Sequence, residues 1–150
     1  MNPSSKFGLG KTPYSAVDII IKYNYGLVLI ERSNVPLGLA LPGGFADYGL
    51  SYEQNAVKEA REETGLEVRI ETPEHPLCVY SSPDRDQRAH IATHVYTAVG
   101  RGMLKAGSDA KRARVYTLGE VINLLGKNKF AFPDHERSLA EYLRMEGNVK

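Results

Sequence analysis

Residues 44–66 read GFADYGLSYEQNAVKEAREETGL, and the reading of this stretch decides that of the whole chain. It follows the turn Pro42, Gly43, Gly44 and carries Glu59, Glu62 and Glu63 on one short predicted helix. Residues three and four apart share a helix face, so Glu59 meets both Glu62 and Glu63. Three uncompensated carboxylates at that range repel one another, and a hard divalent cation is the simplest reason to assemble them. Mg²⁺ is the expected ion, with Mn²⁺ as its substitute, because Mg²⁺ keeps coordination positions open for substrate phosphates. The bland alternative is a solvated acidic helix face; the Pro-Gly-Gly entrance tips the balance toward a metal-phosphate site.

Start and stop signals bracket the helix. Ser51 reads as an N-cap with Gln54 three residues on, a capping-box pattern, and Gly65 reads as the stop. Upstream, residues 16–23 (AVDIIIKY) and 27–32 (LVLIER) are β-rich runs separated by Asn24, Tyr25 and Gly26, which predicts a hairpin. Residues 33–44 read as a Pro- and Gly-rich loop. Downstream, strands are expected at 67–71, 77–81, 91–99 and 114–118. A short helix is expected at 120–125, then a second amphipathic helix capped by Asp134 with Leu139, Ala140 and Leu143 on its apolar stripe. Alternating strands and helices make this an α/β chain, although periodicity leaves the sheet topology open. No repeat, linker or second domain is visible, so residues 1–150 are read as one domain with a flexible segment at 1–12.

Composition narrows the function. A chain of 150 residues, 42% hydrophobic and 25% charged, is long enough to bury a core. A net charge of +1 without a basic stripe argues against nucleic acid or a membrane surface as partner. Cys78 is the only cysteine, which excludes an intrachain disulfide, and its apolar setting favours a structural thiol. No apolar run reaches the length of a signal peptide or a membrane span. A cytoplasmic protein is expected.

The 44–66 segment resembles the signature of the Nudix hydrolases, Gx5Ex7REUxEExGU with U aliphatic. Gly44 opens the match, Glu59 takes the RE glutamate, Ala60 the aliphatic position, Glu62 and Glu63 the EE pair, and Gly65 and Leu66 close it. Leu50 replaces the first glutamate, which predicts weakened metal binding. Lys58 replaces the arginine but keeps the charge and can pair with Glu62. Further stretches resemble the ADP-ribose pyrophosphatase branch: NVPLGLALPGGF at 34–45, YSSPDRDQRAH at 80–90, KAGSDAK at 105–111 and FAFPDHERSLAEYL at 130–143. Leu39 stands where that branch often has tryptophan. The resemblance implies an α/β/α sandwich with a mixed β-sheet, hydrolysis of ADP-ribose to AMP and ribose 5-phosphate, and a homodimer.

It also implies the site. Glu59, Glu62 and Glu63, with the backbone of Gly43, are expected to hold the metal, and Gly44 to lie against the substrate. Glu62 is the favoured proton acceptor and Asp109, in a later loop, the second candidate; Glu59 completes the catalytic set. Arg85 or Arg88 is expected to fork onto a phosphate, the alternative being a surface loop whose charges pair with each other. His90 and His94 read as structural. Two rival functions remain: the same machinery on nucleotide sugars or nucleoside triphosphates, or a sensor that binds a nucleotide without cleaving it.

Overall fold

The computed structural model describes residues 8–105, 107–108 and 111–147, so most of the segment expected to be flexible and the candidate base Asp109 lie outside the described residues. The chain order is β1 (Tyr14–Tyr23), β2 (Gly26–Arg32), β3 (Gly38–Ala40), β4 (Gly43–Phe45), α1 (Tyr52–Thr64), β5 (Glu67–Ile70), β6 (Cys78–Tyr80), β7 (Ile91–Arg101), β8 (Gly107–Ser108), β9 (Lys111–Thr117), α2 (Leu118–Leu124) and α3 (Pro133–Met145).

One mixed sheet runs β5-β7-β1-β2-β9-β8, with β3 on β2, β4 on β1 and β6 on β7. β1 and β2 form the expected hairpin, and β1 runs parallel to β7, from Tyr14 opposite Ile91 to Lys22 opposite Val99. In this central pair the side chains alternate between two apolar layers. Val17, Ile19 and Ile21 pack with Ala56 and Ala60 of α1; Ile20, with Leu27 and Leu29 of β2, packs with Val121 of α2 and with Leu139, Tyr142 and Leu143 of α3. Helices therefore cover both faces, giving an α/β/α arrangement around a mixed sheet.

Three local expectations need correction. Residues 33–44 are not all loop, because the short strands β3 and β4 are recruited there by pairing with β2 and β1. Asp134 does not cap α3. Phe132 occupies that position without a side-chain bond, Pro133 starts the helix, and Asp134 lies in its first turn. Cys78, expected to be a buried structural thiol, is half-buried, with its Sγ 3.5 Å from the Tyr80 hydroxyl and 3.8 Å from Ser138 Oγ. Among the described residues, no helix is long and apolar enough to cross a membrane.

Candidate active site

α1 starts where its sequence says it must. The Ser51 hydroxyl accepts from the amide of Gln54 at 3.0 Å, the Gln54 side chain accepts from the amide of Ser51 at 2.8 Å, and Gly65 closes the helix at φ 77°. The helix thus fixed lies against β4, and two glutamates meet its glycines. The Gly43 amide donates to Glu63 Oε1 at 3.2 Å. A Cβ placed on Gly44 would come within 2.8 Å of the Glu59 carboxylate, so only glycine lets backbone and carboxylate approach this closely.

The three signature glutamates are not equivalent. Glu59 and Glu63 are largely buried, with side chains 14% and 12% exposed, whereas Glu62 is 54% exposed. Glu62 turns to Lys58, whose Nζ lies 3.0 Å from Glu62 Oε1, 3.2 Å from Asp47 Oδ2 and 4.0 Å from Glu59 Oε1. On the inner side, Lys111 Nζ stands 3.7 Å from Glu63 Oε2. Burial pushes the carboxyl of Glu59 above its ordinary value, and the charge of Glu62 adds to that. Burial likewise raises Glu63, opposed by Lys111 and by the Gly43 amide. Lys58 is shifted upward by its bonds to Glu62 and Asp47.

Among the described residues, no three carboxylate, imidazole or thiol side chains already stand at metal-cage spacing. The donor chemistry nevertheless fits a hard divalent cation. Glu59 and Glu63 are oxygen donors whose burial penalises their charge, and no side chain separates them from the glycine backbone. Leu50, at the position of the missing glutamate, is 40% exposed. Asp47, three residues earlier, brings a carboxylate to the same lysine.

A cleft of about 600 Å³ extends from Gly43, Gly44 and Glu63 across the α3 side of the sheet. Arg85 and Arg88 both line it, in different states. Arg85 donates to Asp134 at 2.6 Å, to the carbonyl of Ile91 at 2.8 Å and to Thr93 at 3.0 Å. Its fork is thus engaged by the protein, which leaves Arg88 as the more accessible of the two arginines expected to meet a phosphate. Arg88 is exposed, pairs with Asp86 at 2.8 Å and lies 5.1 Å from the Phe45 ring centre. His90 binds the Ser81 carbonyl and His94 stacks on Tyr52 at 4.0 Å, so both serve the framework.

Sequence reasoning passed over several cleft residues. Asp18, 8% exposed on β1, lies with its Oδ2 3.0 Å from Nε2 of His135, a residue of α3. Arg32, which also lines the cleft, lies 5.4 Å from the Phe132 ring centre. The one signal for Asp18 was an acidic residue inside the apolar run AVDIII. Nothing in the sequence signalled its partner.

The NUDIX domain family model matches residues 12–141. The chain is 42% identical over 142 residues to the ADP-ribose pyrophosphatase of Methanocaldococcus jannaschii, covering 93% of this chain and 78% of that protein. Among solved structures it resembles a NUDIX hydrolase from Nitrosomonas europaea, at TM-score 0.74 and 21% identity, over 94% of this chain and 77% of the other. It also resembles the NUDIX domain of Shewanella oneidensis NrtR, solved with ADP ribose, at TM-score 0.68 and 22% identity over 91% and 90% of the two chains. At these identities the two structures speak for the fold.

Proposed function

The chain belongs to the Nudix hydrolase family, and on that premise we propose that it cleaves the pyrophosphate bond of ADP-ribose, giving AMP and ribose 5-phosphate. The observation that carries this reading is the abutment of Glu59 and Glu63 on the Gly44 and Gly43 backbone at one end of the cleft. The named activity of the Methanocaldococcus jannaschii relative supports the choice of substrate.

Glu59 and Glu63, joined by Glu62 and the Gly43 backbone, would hold Mg²⁺, for which Mn²⁺ can stand in. When bound, such an ion supplies Lewis acidity and a template for the diphosphate. The chain's own groups do the rest. Burial raises Glu59 and Glu63, and Lys58 and Lys111 partly oppose that rise. Arg88, exposed and paired with its neighbour Asp86, swings its fork onto phosphate oxygens. Glu62, the most exposed of the three, accepts the proton of the attacking water, with Asp109 as the alternative acceptor. The enzyme works in the cytoplasm on a free nucleotide, as a homodimer.

The test is a substrate panel. Purified protein is incubated with Mg²⁺ or Mn²⁺ and ADP-ribose, nucleotide sugars, dinucleotides and nucleoside triphosphates, and the released phosphomonoesters are measured. ADP-ribose should be the best substrate, and Glu59→Gln should lower kcat at least tenfold, the effect of losing about 1.4 kcal/mol of transition-state stabilisation. Preference for triphosphates would overturn the substrate assignment. Tight binding without turnover of any compound would identify a sensor instead.

A further inference from the structure

Asp18 takes no part in the chemistry above, yet it is one of the few charged side chains buried in the protein and it lines the cleft. Its protonation partner is fixed by geometry. The Leu41 amide donates to Nδ1 of His135 at 2.9 Å, so Nδ1 must be an unprotonated acceptor. The ring proton then sits on Nε2, facing Asp18 Oδ2 3.0 Å away. The other oxygen of Asp18, Oδ1, lies beside Gly43, where an added Cβ would come within 2.3 Å of it.

The position in the cleft limits what can satisfy it. Asp18 is opposite Gly43 in the β1–β4 register, hence next to the end where Glu63 meets the glycine backbone. Arg32 and Phe132 also line the cleft. A phosphate over Asp18 would be repelled at close range in a partly desolvated setting. A neutral donor would be held. Resting on the reading of the site as one for sugar-linked diphosphates, we propose that Asp18, oriented by His135, accepts a hydrogen bond from a hydroxyl of the distal sugar, the one that ADP-ribose carries and ATP lacks. It thereby selects sugar-linked diphosphates against nucleoside triphosphates. His135 is a positioning residue, since it acts through Asp18 and through the Leu41 amide ahead of the glycine turn.

Binding without metal separates this role from metal ligation. In EDTA, calorimetric titration of the wild type and of Asp18→Asn with ADP-ribose and with ATP should give at least a tenfold fall in the ratio of the two affinities. That is the size expected from exchanging a charged acceptor for a neutral one. ADP and ribose 5-phosphate, titrated in parallel, check which sugar is held: ribose 5-phosphate should weaken with Asp18→Asn and ADP should not, and a loss for ADP alone would overturn the proposal. His135→Gln, which keeps an N–H in reach of Asp18, should retain most of the selectivity, and His135→Leu should lose it. A thermal melt verifies that each variant folds, and if Asp18→Asn does not, the histidine pair carries the test. An unchanged ADP-ribose to ATP ratio, or an equal loss for both ligands, would overturn the proposal. A wild type that binds ADP-ribose with Asp18-dependent selectivity but never cleaves it would overturn the enzymatic reading alone.

Discussion

The guanidinium of Arg85 donates to Asp134, Ile91 and Thr93, and its Nε is buried without a partner among the described residues, while Arg88 three positions on is exposed, pairs with Asp86 and lies over the Phe45 ring. Both arginines carry the same charge in the same motif, so residue type could not tell them apart. Surroundings do. Removing Arg85 takes from Asp134, whose side chain is 13% exposed, its 2.6 Å partner and leaves only the exposed Arg137 at 3.5 Å among the described residues; breaking a buried pair typically costs up to about 3–5 kcal/mol. Arg85→Ala should therefore lower stability by that order in urea titration, whereas Arg88→Ala should stay within about 0.5 kcal/mol of wild type. In steady-state kinetics Arg88→Ala should raise KM for ADP-ribose. Similar stability losses in both variants would contradict the division of roles.

At the scale of elements, α1 was legible because its signals are local. The capping box, the glutamate spacing and Gly65 all lie within the stretch they organise. Ser51→Ala removes the bond to the Gln54 amide and should cost about 1 kcal/mol by chemical denaturation. Because the same cap sets where α1 begins against β4, the variant should also weaken Mn²⁺ binding in electron paramagnetic resonance titration. An unaltered ion affinity would mean that the helix is positioned by its apolar face alone. β3 and β4 were illegible for the opposite reason. Three-residue strands in a Pro- and Gly-rich segment carry no periodicity, and they exist only because β1 and β2 offer free edges. α3 was found by its apolar stripe but misjudged at its start, where Pro133 supplies the fixed φ of a first helical residue.

For the whole molecule, the layers that bury α1 also bury the charges it carries. Glu59 and Glu63 hold their protons more tightly in the folded chain than the ordinary 4.5 of a glutamate. The metal-free folded state thus binds more protons than the unfolded one, and stability from these groups falls as pH rises from 4.5 through the raised values. In EDTA at neutral pH, Glu63→Gln should melt above wild type, and the gap should close on acidification toward 4.5. Adding Mn²⁺ should raise the wild-type Tm and leave the variant nearly unmoved. A gap that widens on acidification would show that the buried charge of Glu63 is fully compensated by Lys111.

The sequence by itself determined the signature helix, its caps, the central hairpin and the family resemblance, because those depend on spacing along a few tens of residues. Tertiary structure alone decided which glutamates turn inward, which arginine stays available, and that Asp18 of β1 meets His135 of α3 across 117 positions of chain. Local patterns are set by short-range backbone geometry, which residue order encodes directly. The partners of a buried charge are set by which layers pack together, and no short window of residues contains both sides of that contact.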